Sequence, residues 1–277
     1  MMYKVLDEDT IKKEILPHLS VAKRGFESKS DLSEVLNAIL YKLKTGCQWR
    51  MLPVKSLFSG VVLCWQVVYH HFRKWCKDGS WQECWANLLK KNKPHIDLSS
   101  GDVDGSHTPA IRGGEAVAYQ GRKKRKTCNS LYLTDRQGNP IAMSSTKAGN
   151  HHDLHEIEKS MKEIFMMMER ADIPVDGLFI NADAGFDSKE FRAVCSEYGV
   201  IANVCPNPRG GCGEDDYFLD DELHKERYSI ERTNAWMDSF RSVLMRFDTT
   251  TSSWEGFNLI AFMVILLKRI KKSKEKV

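Results

Sequence analysis

Three carboxylates, far apart in the chain, stand in settings that would let them meet. Asp104 lies in "GDVDGSH" (101–107), Asp183 in "INADAGF" (180–186) and Glu231 in "YSIERTNAW" (228–236). Each aspartate is followed within two positions by glycine, the pattern of a strand end that turns sharply. Open α/β sheets gather ligand sites at the carboxyl ends of their strands. A third carboxylate, on a helix crossing the same edge, would complete an oxygen-rich pocket. Such a pocket suits Mg2+ or Mn2+, hard ions that take carboxylates and keep waters. Two such ions can clamp the attacking and leaving oxygens of a phosphodiester. A single Asp-Gly is ordinarily a turn, so the reading rests on three carboxylates in one consistent order of elements. Asp102 shares a strand face with Asp104, and alternation alone does not choose between them. Position relative to the strand end favours Asp104 and leaves Asp102 as a supporting polar residue.

Positive charge is blocked. Arg122, Lys123, Lys124, Arg125 and Lys126 form an unbroken run, and the tail "KRIKKSKEKV" forms another, in a chain of 277 residues with net charge +4. Such runs are solvated faces unless other features agree; beside a phosphodiester pocket the first reads as a phosphate grip. His107 and the cluster "NHHDLHE" (His151, His152, Asp153, His155) resemble a zinc site superficially, but no third soft ligand accompanies them. Capping by Asn150 or Asp153, or contacts to a DNA backbone, fits better than zinc. The acidic "EDDYFLDDE" (214–222) reads as an insertion or a face that repels DNA. Trp236, Phe240 and the "MMM" at 166–168 read as core.

The elements that must hold these groups fall into two regions. Residues 1–95 lack strand signals and are dense in aromatics. "SDLSEVLNAILYKLKTG" starts at Ser30 or Asp31, repeats apolar residues at helical spacing and stops at Gly46. "VVLCWQVVYHHFRKWCKDG" and "WQECWANLLKKN" read as two more helices, a compact helix-turn-helix type of domain. From residue 96 the texture changes: a strand in "IDLSSGDVDGS", a hairpin about "RQGNP" with Gly138 and Asn139 at its tip, then helix, strand, helix, strand, helix. That order predicts an α/β domain over 96–277 with a mixed sheet, antiparallel in its hairpin and joined later by helical crossovers. "SIERTNAWMDSFRSVLMRF" reads as one helix carrying Glu231. The apolar "LIAFMVILL" (259–267) is too short for a membrane span and reads as a buried helix. Eight cysteines without a CxxC pair, and no apolar signal core at the start, point to reduced thiols and a cytoplasmic protein.

The run "DVDGSHTPAIRGGEAVAYQGRKKRKT", then "INADAGFDS", then "ERYSIERTNAWMDSFR", resembles the catalytic domain of DDE transposases of bacterial insertion sequences, in the IS-five-like branch. The N-terminal "GCQWRMLP…WQVVYHHFRKWCKDGSWQECW" is similar to that branch's helical DNA-binding region. The resemblance implies a ribonuclease-H-like mixed sheet with flanking helices, behind an all-helical DNA-binding domain. It places the catalytic and metal-binding triad on Asp104, Asp183 and Glu231, with two Mg2+ or Mn2+ ions. It implies cutting at the terminal inverted repeats of double-stranded DNA and joining to target DNA, by a homodimer at the nucleoid. The family's Tyr-Arg-Glu-Lys pattern maps its arginine onto Arg227, but holds His224 at the tyrosine and Asp238 at the lysine. Arg241, one helical turn beyond Asp238, would supply the missing charge. The alternative is a catalytically silent DNA-binding regulator derived from a transposase.

Overall fold

The computed structural model describes residues 4–21, 31–207 and 219–275. The chain divides into two compact units, Met1–Leu88 with Met237–Val277, and Leu89–Trp236. The first begins with helical turns, α1 (Glu8–Thr10) and the residues to His18. α2 (Leu32–Thr45) follows, its Asp31 side chain accepting from the Ser33 amide at 2.8 Å. It closes at Gly46, whose φ of +67° is the left-handed conformation of a helix stop. Its apolar repeat is buried at Val35, Leu36, Ile39, Leu40 and Leu43. α3 (Val54–Leu57) is a short turn, and α4 (Trp65–Lys77) starts later than the sequence predicts, because Val61 and Val62 are exposed outside it. Gly79, at φ +79°, separates α4 from α5 (Ser80–Lys91).

The second unit is built on a seven-stranded sheet: β1 (Gly101–Pro109), β2 (Ala118–Gln120), β3 (Arg125–Asp135), β4 (Pro140–Met143), β5 (Lys147–Ala148), β6 (Phe179–Ala182) and β7 (Ile201–Val204). β1 and β3 pair antiparallel from Gly101↔Asp135 to Pro109↔Thr127, and β2, β5 and β4 line the other edge of β3. β6 lies parallel to β1, and β7 parallel to β6. α6 (Ile157–Arg170) crosses from the hairpin to β6, and α7 (Lys189–Glu197) from β6 to β7. α8 (Asp221–Lys225) and α9 (Tyr228–Asp238) follow β7. An antiparallel hairpin followed by parallel strands, with the first strand central, is the ribonuclease-H-like arrangement that the resemblance implies.

Two boundaries differ from the sequence reading. β1 starts at Gly101 and continues to Pro109, so Asp104 is its fourth residue of nine and not its end. The helix over 229–247 is broken: α9 stops at Asp238, Phe240 is extended (φ −98°, ψ 106°), and α10 (Arg241–Leu244) starts afresh. Arg241 therefore does not stand one turn beyond Asp238.

α11 (Thr251–Lys274) is apolar on nearly every side, with Trp254, Phe257 and the run Leu259–Leu266 all buried. Such a helix must be enclosed, and the N-terminal helices enclose it. Phe257 stacks on Phe72 with ring centroids 4.4 Å apart, and Phe262 meets Trp85 at 5.6 Å. A side chain at Gly256 would fall 2.7 Å from the Cys76 sulfur, so glycine sets the approach to α4. Residues 237–277 thus cluster with residues 1–88, where the sequence reading assigned them to the sheet domain. Among the described residues no helix is long and apolar enough to cross a membrane.

Candidate active site

The sheet creates its open edge by unequal strand lengths. β1 pairs with β6 only at Gly101↔Ile180 and Asp102↔Asn181, and β6 ends one residue later at Ala182. Two residues beyond the last pairing stand Asp104 on β1 and Asp183 in the turn after β6. Asp183 accepts from the Gly185 amide at 2.8 Å and caps a short helical turn. A side chain at 185 would lie 2.8 Å from its Oδ1, which explains the glycine. Asp104 accepts from the Gly105 amide at 2.8 Å. Glu231 is an exposed residue in the first turns of α9.

These groups share one electrostatic environment. Burial pushes the Asp104 carboxyl up from 3.8 to about 6, against the Gly105 amide, and the negative charges of Asp153, Asp183 and Glu231 push the same way. Repulsion among nearby carboxylates favours the neutral acid until a cation or a proton intervenes. Asp183 and Glu231, and with them a fourth carboxylate, Asp153, carry charge near enough to act on Asp104. The Asp153 Oδ1 lies 1.9 Å from where a side chain at Gly105 would begin, so Gly105 is the gap that admits it. Asn129 donates to Asp153 Oδ1 at 2.6 Å, and His107 Nε2 lies 3.4 Å from the same oxygen. Burial acts to raise this carboxyl, but those contacts outweigh it and hold Asp153 below its ordinary range.

Asp153 therefore does not cap α6. That helix starts at Ile157 behind Glu156, without a side-chain cap. His151 and His155 lie in the preceding turn with rings stacked 3.6 Å apart. Among the described residues no three His, Cys, Asp or Glu side chains are arranged to hold one metal ion.

Asp102 is engaged elsewhere. It is 1% exposed, accepts from Asn181 Nδ2 at 2.8 Å and from the Ser229 hydroxyl, and receives the Ile230 amide. His224 stands close by, its Nε2 3.2 Å from the Ala182 carbonyl, one residue before Asp183, and its ring beside the Cys205 sulfur at 3.8 Å. Burial raises the Asp102 carboxyl above its ordinary range, against the opposing pull of its donors and of the charge on half-buried Arg227.

The basic run spans the turn between β2 and β3 and the first two residues of β3, with Lys124 left-handed at φ +49° and Arg122 to Lys126 all exposed. Lys123 Nζ donates to the His107 carbonyl at 2.8 Å, tying the turn to β1. Asp220, in the acidic stretch, caps α8 by accepting from Glu222 and Leu223; residues 214–218 of that stretch, like Ser30, lie outside the described residues. Phe240 is core at 3% exposure, but Met166 is exposed at 49%.

Residues 10–85 match the family described as "Putative transposase of IS4/5 family", and residues 103–266 match "DDE superfamily endonuclease". A curated protein of Burkholderia cepacia, the insertion element IS402 uncharacterized 16.2 kDa protein, is 35% identical over 84 residues, 30% of this chain and 54% of that protein. The chain thus spans about half the length of that relative. Among solved structures, a Mos1 transposase paired-end complex with left transposon end is 11% identical with a TM-score of 0.29, covering 88% of this chain and 80% of that one. A Mos1 mariner paired end complex with Mn is 10% identical, also with a TM-score of 0.29, covering 92% and 83%. The match over 103–266 takes in more than half of the sequence, including Asp104, Asp183 and Glu231, and the chain belongs to the DDE superfamily of endonucleases.

Proposed function

We propose that this chain is the DNA transposase of a bacterial insertion sequence, cutting the element's ends and joining them to target DNA. The observation that supports this reading is the setting of Asp104, two residues past the last β1–β6 pair and raised by burial and by the charges of Asp153, Asp183 and Glu231. The donor chemistry suits a hard divalent cation, with carboxylate oxygens and unbalanced negative charge around Asp104, while the described side chains are not drawn together as a closed metal site. Asp104, Asp183 and Glu231 would hold the ion. When bound, such an ion activates water or a 3′-hydroxyl and neutralises charge on the phosphate.

The chain's own residues position the DNA. Pro109, where β1 ends beside the basic turn, is five residues from Asp104, about 17 Å along the strand. Arg122, Lys123, Lys124, Arg125 and Lys126 would hold phosphates at that distance while the scissile one sits at the carboxylates. Arg227 would add charge next to α9. The helical unit would read the terminal repeats, and two copies would act on paired ends.

The test is cleavage of DNA carrying the element's terminal inverted repeats, in Mg2+ and in Mn2+. Nicking at the repeat ends is expected, with Asp104→Ala reducing it by at least about a thousandfold, the upper range for one lost electrostatic group. An Asp104→Ala protein that still cuts would falsify the reading. Tight binding without nicking in either metal would mark a regulator instead.

A further inference from the structure

Asp102, on β1, ties the sheet to the first turn of the Glu231 helix. All of its contacts are donors: the Ser229 hydroxyl, the Asn181 amide at 2.8 Å and the backbone amide of Ile230. Ser229 and Ile230 immediately precede Glu231 on α9. The link extends inward, since Asn181 Oδ1 accepts from Asn203 Nδ2 at 2.7 Å, and Asn203 exchanges hydrogen bonds with the Asp220 backbone at 2.7 and 3.0 Å. Asp102, Asn181, Asn203 and Ser229 are all buried, at 1%, 0%, 0% and 0% exposure. One continuous polar chain therefore runs from β7 through β6 and β1 to the first turn of α9.

We propose that Asp102 is a positioning residue for Glu231, capping from β1 the first turn of the helix that bears it and so fixing the roll of that helix. This rests on the reading of Glu231 as part of the cutting site. Successive helix residues are about 100° apart, so a slip of one residue in the α9 anchorage would swing Glu231 by that angle. A second anchor acts in the same sense: Thr233 Oγ1 donates to the Gly138 carbonyl at 2.5 Å, one turn further along. Gly138 permits this approach, because a side chain there would fall 2.9 Å from the Ser229 carbonyl. Asparagine cannot replace Asp102 faithfully. Its NH2 would face a donor, and one of the three groups now satisfied would lose its acceptor.

The experiment compares full-length wild type, Asp102→Asn, Ser229→Ala, Asp102→Asn with Ser229→Ala, and Asp104→Asn. Cleavage of end DNA is measured per folded molecule, with DNA affinity and melting temperature measured on the same samples. For Asp102→Asn, kcat should fall about a hundredfold while DNA affinity stays within about twofold, because the loss is one of geometry at the reacting centre. Ser229→Ala should fall about tenfold, and the double variant no further than Asp102→Asn alone, since both remove one contact. A purely structural Asp102 would lower the melting temperature and leave cleavage per folded molecule unchanged, and that result overturns the proposal. If Asp102→Asn does not fold, Ser229→Ala decides by the same criterion. Asp104→Asn separates the two ideas: cutting by that variant would sink the functional reading itself, whatever Asp102 does.

Discussion

Asp102 and Asp104 share one face of one strand and live in opposite surroundings. Around Asp102 three donors meet two carboxylate oxygens in a buried, interlinked set. Around Asp104 the donor found among the described residues is the next amide along the chain, and the charged neighbours that act on it most are carboxylates. The boundary between these regions is the last β1–β6 pair, Asp102↔Asn181. Where strands pair, a carboxylate can be surrounded by donors from its neighbour. Past the end of the shorter strand it is left to ligands that arrive from outside. Underpaired charge at one place and complete pairing two residues away is what the proposed cation site would need.

That contrast can be broken most sharply at Asp102. Asp102→Ala should cost about 3 kcal/mol of folding stability, the scale for stranding several buried donors; urea unfolding of that variant beside Asp104→Ala should show no comparable loss in the second. An equal loss in both would erase the distinction. Gly105→Ala should come next, at about 2 kcal/mol for forcing a methyl against Asp153, visible as a lower midpoint in the same titration. The pH dependence sharpens the edge itself. With the Asp104 carboxyl raised to about 6, the folded chain binds that proton more tightly than the unfolded one. Stability without a divalent ion should be fullest below about pH 4 and fall by about 1–2 kcal/mol as pH rises through 6, after allowing for partial solvent screening. Asp104→Asn should flatten that fall, and Mg2+ or Mn2+ should offset it at pH 7 in wild type only. The smallest effect belongs to the basic turn. Replacing Arg122, Lys123 and Lys124 by serine should reduce the slope of log affinity for DNA against log salt by about 2–3, and an unchanged slope would leave that turn without a phosphate.

The three carboxylates were legible as candidates because each lies beside a local signal, a glycine turn after an apolar run or a helix start, and because several such motifs follow one another in a family's order. The succession of strands and helices along the chain, and a mixed sheet, were legible from the alternation of short apolar runs and amphipathic stretches. Asp153 was not, since its partners Gly105, His107 and Asn129 come from other strands, and nothing in "NHHDLHE" signals that its aspartate turns away from the helix it precedes. Arg241 was misplaced because the break at Ser239 and Phe240 contains neither glycine nor proline. The end of the first strand was set too early for a related reason: its continuation depends on pairing with β3, which local sequence does not display. The helix at 251–274 could be recognised as buried, but an apolar surface on every side does not say which neighbours will cover it.

The enclosure of that helix has a consequence for how the protein is made. Residues 1–88 leave the ribosome first, yet their core lacks Phe257, Phe262 and Trp254 until the other end of the chain emerges. At about 5–20 residues per second the intervening stretch takes roughly 7–30 s to synthesise. During that interval the nascent helices present their aromatic faces unfilled, and they can close only on a chain whose sheet has already been translated. A truncated product that stops after Trp236 would carry the four carboxylates and an unfinished helical unit.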